Sequence, residues 1–327
     1  MVPLYPLRLQ PIFKERVWGG RALEAFYGSG LPAGAIGEAW VLGEHAQGTS
    51  VVTNGPLAGS DLTALRLAYG PALLGSKSAP APGGRCPLLI KLLDARDDLS
   101  VQVHPADGDP RLPPGEPGKT EMWYVLSADP GASIVYGLAE GVDAGAFTKA
   151  VRSGETMRCL RKLRVQPGDV FYVPSGTIHA LGAGVVVAEV QQSSDTVYRV
   201  YDYDRLGLDG KPRDLHVERA LEVTSYAAPP AVVRSEEPPL NRWQPLVCSP
   251  YFVVELGRCE TAWETATDPG GFEALLVVEG QGAIAWDGVE GKIGAETIGK
   301  GDTLLIPAAL PAYRLTGALT VLRSRLP

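Results

Sequence analysis

Two histidines, a glutamate and a glutamine have side chains that can hold a cation: Gln102, His104, Glu121 and His179. Gln102 and His104 lie two residues apart in "LSVQVHPAD", which alternates as a β-strand does. Leu99, Val101 and Val103 fall on one face, and Ser100, Gln102 and His104 on the other. A half-buried strand normally keeps its inner face apolar, so a hydroxyl, an amide and an imidazole in a row are a departure. Glu121 sits on a second strand-like run, "KTEMWYVL", and shares its face with Lys119 and Trp123. His179 follows the turn "VPSGT", at the start of a further strand. Two neutral nitrogens, one carboxylate and one amide oxygen suit Zn²⁺ or another first-row divalent ion, with room for water or substrate. On the residues alone, the same four are equally compatible with ordinary polar side chains.

Positioning such a set requires many short strands. The 327 residues contain 39 glycines and 28 prolines between short runs of Val, Ile, Leu and Tyr, which points to a β-sandwich or barrel. A helix is expected in "SDLTALRLAYGPALLG", capped by Ser60 or Asp61, with Leu62, Leu65 and Tyr69 on one face. A second helical stretch is expected over about 143–163, "DAGAFTKAVRSGETMRCLRKL". "LLIKLLDARDDLSVQVHP" reads as two strands around a turn at Asp94–Asp98.

The chain also echoes itself. "EMWYVLSADPGASIVYG" from Glu121 resembles "EALLVVEGQGAIAWDG" from Glu273. "PGDVFYVPSGTIHAL" matches "KGDTLLIPAALPAYRL", aligning Gly168–Asp169 with Gly301–Asp302 and Pro174 with Pro307. Two related β units follow from this, and the second carries Ala312 where the first has His179. The Pro-rich, mixed-charge segment 227–242 marks the expected junction. The expected organisation is a first domain over 1–228, a linker over 229–241 and a second β domain over 242–327.

Bulk properties narrow the function. A net charge of −7 excludes a general nucleic-acid binder, which needs a basic field. An anionic small substrate would need local cations instead. The four cysteines are far apart with no CxxC pair, which fits reduced thiols rather than a disulfide framework or a thiolate zinc site. No run is long enough to cross a membrane, and the N-terminus lacks the apolar core of a signal peptide, so a cytoplasmic protein is expected.

"GDVFYVPSGTIHAL" looks like the second motif of a cupin, and "QVHP…KTEMWYVL" like a variant of the first. More specifically, the chain resembles the type I mannose-6-phosphate isomerase family in its shorter bacterial form. The resemblance rests on "RVWGG", "IGEAWVLGEH", "IKLLDARDDLSVQVHP", "GKTEMWYVL", "GDVFYVPSGTIHALG" and "QQSSDTVYRVYDYDR", in family order. It implies a mainly β, two-cupin fold with a small helical insertion and a degenerate second unit. It implies one zinc per chain, other divalent metals being possible, on Gln102, His104, Glu121 and His179. It implies a small phosphosugar substrate, and a monomer or homodimer is expected. Lys91, Lys119 and Arg199 match basic residues of the family's active site. Arg199 and Lys119 are the expected catalytic groups, and Lys91 and Ser100 the expected phosphate contacts. Asp195 matches a family acid that would orient Arg199, and Trp18 would wall the cavity.

Bland readings stand beside these. Lys91 could be an edge-strand lysine reaching solvent, and Arg199 could merely pair with Asp195 or Asp202. Trp18 and Trp123 could be core residues, and Glu189, an acid in the apolar run "VVVAEVQQ", could act through hydrogen bonding alone. His45 is expected in a surface loop and His216 at a helix start. The rival functions are an isomerase of another phosphosugar, a non-catalytic sugar-binding or regulatory bicupin, and a metal-dependent dioxygenase.

Overall fold

Short β-branched and aromatic runs separated by Gly and Pro turns form strands throughout the chain, as the composition predicts. The computed structural model describes residues 2–78, 84–235, 237–288 and 293–327. It is mainly β and divides into two compact units. One comprises Phe13–Ala39 and Lys91–Arg234; the other comprises Met1–Ile12, Trp40–Ile90 and Ser235–Pro327.

The Phe13–Ala39 and Lys91–Arg234 unit holds a five-stranded sheet in the order Leu160–Arg164, Ser133–Leu138, His179–Leu181, Val101–Val103, Tyr198–Tyr201. A seven-stranded sheet runs Val233–Arg234, Asp169–Val173, Glu121–Ala128, Val185–Gln192, Leu88–Ala95, Ile36–Leu42, Ile12–Gly20. One core joins Trp18, Leu93, Trp123, Val125, Ile134, Tyr136, Phe171 and Val187. A second core lies on the other face of the five-stranded sheet, where Val101, Val103, Ala180 and Tyr198 meet Phe147, Ala150 and Ala220. Those last three come from the helices Ala144–Arg152 and Val217–Val223. The strand Val101–Val103 therefore turns its valines to the helices and leaves its polar face to the inside of the unit. Leu99, expected with those valines, joins the first core instead, because it precedes the strand and does not share its pleat.

The other unit is built on an eight-stranded sheet whose main path is Leu7–Arg8, Thr303–Ile306, Glu273–Asp287, Ala312–Arg325, Val253–Cys259, Trp243–Cys248. Its helix Leu62–Tyr69 is capped by Asp61, whose side chain accepts from the Ala64 N–H at 2.7 Å, and it buries Leu62 and Leu65. Among the described residues no helix is long and apolar enough to cross a membrane. The four cysteines are free thiols.

One expectation is corrected. The stretch 143–163 is not one helix. Asp143 caps Ala144–Arg152, Gly154 turns out of it at φ 75°, and Leu160–Arg164 becomes a strand paired with Ser133–Leu138. Leu160 and Leu163 keep a helical spacing of three, and the register shift between Leu160 and Lys162 lets the run pair with the available sheet edge instead. The two strands expected around Asp94–Asp98 are present as Leu88–Ala95 and Val101–Val103, and they enter different sheets. The compact units are set by contacts far apart along the chain. Leu7–Arg8 pairs with Thr303–Ile306, a register across nearly the whole chain that no local signal encodes.

The internal echo is geometric as well as sequential. Glu121 stands opposite Val173, and Glu273 opposite Ile306. Asp169 accepts from the N–H of Gln166 at 3.0 Å, and Asp302 from that of Gly299 at 2.8 Å. Gly168 and Gly301, at φ 88° and 93°, donate to Val125 and Val277, each at 2.9 Å. The glutamates differ in their company. Glu273 accepts from Tyr313 Oη at 2.9 Å and from Arg323 Nη1 at 3.2 Å, and Arg323 also bonds Glu255 at 2.6 Å. Arg323 lies 4.1 Å from the centre of the Trp243 ring.

Arg323 is buried and pairs with both Glu273 and Glu255; its loss leaves Glu273 without an ion pair among the described residues, while Glu255 keeps Arg325 at 3.0 Å. Arg323→Met is expected to lower the urea midpoint by the equivalent of roughly 3–5 kcal/mol at pH 7. Adding Glu255→Gln and Glu273→Gln should recover part of that loss; an unchanged midpoint for Arg323→Met alone would show the network contributes nothing.

Candidate metal centre and its cavity

His104, Glu121 and His179 come together from three strands or strand ends, with ligand-type atoms all within 4.8 Å of one another. Sheet register does the gathering. His179 stands opposite Gln102 in the five-stranded sheet. Glu121 opens its strand in the seven-stranded sheet, opposite Val173 and Gln191. All three side chains are essentially inaccessible to solvent.

The hydrogen bonds fix the tautomers. His104 Nδ1 lies 2.9 Å from the Thr196 carbonyl and His179 Nδ1 lies 2.8 Å from the Thr177 carbonyl. A carbonyl oxygen only accepts, so each Nδ1 carries the proton and each Nε2 presents a lone pair. Those lone pairs face Glu121, His104 Nε2 at 3.4 Å from one carboxylate oxygen and His179 Nε2 at 3.3 Å from the other. Neither ring brings a second proton: burial, then the Lys119 charge, pushes the His104 imidazole down to about 3, and burial also pushes His179 down. His104 Nε2 and Glu121 Oε1 lack a hydrogen-bond partner among the described residues, and Glu121 Oε2 has the Lys119 ammonium at 2.9 Å.

Electron pairs turned on a carboxylate with no proton between them repel, unless a cation sits where they converge. A tetrahedral site with bonds of about 2.0–2.1 Å sets its ligand atoms about 3.3–3.4 Å apart, the separation found here. Gln102 joins this group from the opposing strand: its Nε2 lies 3.3 Å from His179 Nε2, and its Oε1 accepts from Ser100 Oγ at 3.4 Å. A half-turn of that amide presents the oxygen to the same point. The four residues fit a divalent cation.

Charged side chains surround the cluster. Lys119 Nζ lies 2.9 Å from Glu121, and Lys91 Nζ 3.2 Å from Glu189. Glu189 also accepts from Trp123 Nε1 at 3.0 Å, and the Trp123 ring meets His179 edge-on with centroids 5.3 Å apart. Burial acts on Lys119 to lower its affinity for a proton, but Glu121, Glu189 and Asp195 outweigh it and hold the ammonium above the usual lysine range. Burial likewise opposes the Glu121 charge; the Lys119 ammonium, first among its neighbours, reverses it and holds the carboxyl well below the usual range. For Glu189 burial prevails over Lys91 and the carboxyl is raised. A cavity of about 480 Å³ opens over this cluster, lined by Trp18, Lys91, Ser100, Gln102, Lys119, Trp123, Glu189, Asp195 and Arg199 among others.

A family model described as phosphomannose isomerase type I, catalytic domain, matches residues 6–127. A mannose-6-phosphate isomerase of Bacillus subtilis is 38% identical over 316 residues, which is 95% of this chain and 96% of that protein. A mannose-6-phosphate isomerase of Streptococcus mutans is 37% identical over 98% of each chain. A crystal structure of mannose 6-phosphate isomerase from Bacillus subtilis superposes with a TM-score of 0.87 at 35% identity, covering 98% of this chain and 99% of that one. The chain belongs to the type I phosphomannose isomerase family.

Every residue proposed for the site from sequence lies in one compact unit, and all but His104, Glu121 and His179 line the cavity; those three form the cluster beneath it. Lys91 is not an edge lysine reaching water; it is buried on a central strand and paired. Trp18 and Trp123 serve both core and wall. Among the described residues no ion pair joins Arg199 to Asp195 or Asp202. Arg199 Nη1 donates to the Asp214 carbonyl at 3.3 Å, while Asp202 takes Arg205 and Arg213. His216 stands at the start of its helix, as expected. His45, expected on the surface, is buried on a short strand against Trp40. Sequence reading missed Arg16, Glu38 and Arg213 on the cavity wall; only the "RVWGG" and "IGEAW" segments hinted at the first two.

The histidines give the cation-free protein an acid-side instability. Their folded pKa values lie below the ordinary 6.5, so the unfolded chain binds more protons and stability falls as pH drops. The contribution is full above about pH 6.5 and erodes toward pH 3, at up to about 1.4 kcal/mol per pH unit for each group. Urea unfolding of chelator-treated protein between pH 7.5 and 4.5 should show this slope, and His104→Gln should make it shallower. A slope unchanged by that substitution would contradict the depressed pKa of His104.

Proposed function

We propose that this chain is a zinc-dependent aldose–ketose isomerase that interconverts mannose 6-phosphate and fructose 6-phosphate through an enediolate. The observation that carries the reading is the set of buried electron pairs of His104, Glu121 and His179, aimed at one point beneath a cation-lined cavity. Family membership supplies the substrate pair, as the relatives' names give it. The cavity volume falls within the range of about 300–1,000 Å³ usual for small-molecule sites.

Gln102, His104, Glu121 and His179 would hold one ion per chain. When bound, that ion supplies Lewis acidity, which polarises the sugar carbonyl and lowers the energy of the enediolate. Lys119 and Arg199 bring fixed positive charge to the same place. Lys119, held protonated by Glu121, suits donation to a substrate oxygen and stabilisation of the developing charge rather than removal of a carbon-bound proton. Ser100 and Lys91 offer hydrogen bonds to the phosphosugar from the cavity floor; Asp195 and Trp18 orient and wall it. Trp123 and Glu189 fix the His179 ring and the Lys91 head. The second β unit reads as a cupin whose cation is the Arg323 guanidinium. A cytoplasmic setting agrees with four free thiols.

Elemental analysis of purified protein should find about one zinc or other divalent ion per chain, and a coupled assay should detect conversion of mannose 6-phosphate. Chelation should abolish turnover and added metal restore it. Glu121→Gln should lose the ion, whereas Lys119→Ala and Arg199→Ala should retain it while turnover at saturating substrate falls at least roughly 100-fold. A metal-free protein silent toward mannose 6-phosphate sinks the proposal.

A further inference from the structure

A recess of about 270 Å³ lies within the unit that contains Trp40–Ile90, and none of its lining residues borders the main cavity. Glu44, His45, Thr49, Thr63, Arg66 and Arg85 line it. Glu44 and His45 close the segment "IGEAWVLGEH", of which the main cavity takes only Glu38. Short elements are locked together around the recess. Glu44–His45 and Gly48–Thr49 pair as a hairpin, with Glu44 opposite Thr49. The Gly43 N–H donates to Ser50 Oγ and the Leu62 N–H to the Ser50 carbonyl, each at 2.9 Å, which ties the hairpin to the start of the helix Leu62–Tyr69. Thr63 and Arg66, three residues apart, share one face of that helix.

Charge is left over there. The buried Glu44 carboxylate accepts from Arg66 Nε at 2.9 and 3.0 Å and from the Cys86 N–H at 2.8 Å. One acid is thereby satisfied by one guanidinium and one amide. Arg66 spends only its Nε on Glu44, and its two Nη groups have no hydrogen-bond partner among the described residues. Arg85 is half-buried and has neither an ion pair nor a hydrogen bond among the described residues; the Thr63 hydroxyl also has no partner there. His45 Nδ1 accepts from the Gln47 N–H at 3.2 Å, so a neutral ring keeps its proton on Nε2, and the ring stands edge-on to Trp40 with centroids 5.9 Å apart. Asp61, which opens the helix, spends its side chain on the Ala64 N–H and does not line the recess. Two guanidiniums therefore face one carboxylate that is already engaged, and a partly desolvated charge without a counter-ion is costly.

We propose that this recess is a second anion site, in which Arg85, the Nη edge of Arg66 and the Thr63 hydroxyl hold a phosphate-type dianion. Planar guanidiniums match the oxygens of a phosphate in pairs. The volume lies below the range of about 300–1,000 Å³ usual for larger ligands, which suits inorganic phosphate or a short phosphate monoester. The site depends on neither the cation nor the phosphosugar reaction. A bound anion bridges the helix that carries Thr63 and Arg66 to the segment that carries Arg85, so occupancy adds to the stability of the fold.

The test titrates inorganic phosphate, and separately glycerol phosphate, into the metal-loaded full chain by calorimetry at low ionic strength. Wild type is compared with Arg85→Met, Arg85→Lys, Thr63→Val and, in the main cavity, Arg199→Ala. Arg85 leaves no partner stranded among the described residues, so Arg85→Met should keep the wild-type urea midpoint when phosphate is absent. Wild type should show a phosphate site that Arg85→Met loses or binds at least roughly tenfold more weakly. Arg85→Lys should restore it in part, Thr63→Val should weaken it about two- to fivefold, and Arg199→Ala should keep it. Phosphate should raise the urea midpoint of wild type more than that of Arg85→Met. Tighter binding of inorganic phosphate than of glycerol phosphate would identify the free anion as the ligand, and the reverse order a monoester. Identical phosphate isotherms in wild type and Arg85→Met, or loss of the same site in Arg199→Ala, would overturn the proposal.

Discussion

A buried carboxylate facing two imidazole lone pairs is the constraint on which this protein depends. Glu121 is fully enclosed, and the two backbone carbonyls that take the Nδ1 protons commit both rings to present electron pairs to it. Taking an ionised carboxylate out of water is costly, and facing it with lone pairs adds to that cost. Lys119 offsets part of the penalty with a single charge at one oxygen. The other oxygen and His104 Nε2 have no hydrogen-bond partner among the described residues. With the cation proposed for this site, metal affinity and fold stability would be linked.

The surrounding charges extend this arrangement. Glu121 pairs with Lys119 and Glu189 pairs with Lys91, and Trp123 connects the two groups through its indole N–H on Glu189 and its ring against His179. Each buried charge has an opposite neighbour, so the interior can be densely ionic without exposing an uncompensated group. Preorganised charge of this kind suits a reaction that develops negative charge on sugar oxygens, because it needs no reorganisation as that charge appears.

The second β unit shows the same constraint solved differently. Glu273 holds the register position that Glu121 holds in the first copy, yet its partners are a tyrosine hydroxyl and a guanidinium. Arg323 brings a permanent charge and several N–H donors, so Glu273 is satisfied without an ion. The histidine position is Ala312 there, and the unit retains the turn geometry of the repeat with no cluster of metal-ligating side chains among its described residues.

The sequence by itself determined the class of fold, the internal repeat and the identity of the ligand-type residues. These are written locally: strand alternation set Gln102 and His104 on one face, Asp61 marked a helix start, and the Gly–Asp turns recurred with their partners in place. Local periodicity could not foretell what became of 153–163, because Leu160 and Leu163 keep a helical spacing while a register shift fits the run to a sheet edge. Nor could it reveal that Leu7–Arg8 completes a sheet with Thr303–Ile306, or that Arg213 arrives at the cavity mouth on the acid that Arg205 shares. Tertiary structure alone decided which charges are paired and which protons the histidines keep. Those properties depend on distances between residues tens to hundreds of positions apart, and pairing across sheets, rather than neighbourhood along the chain, sets them.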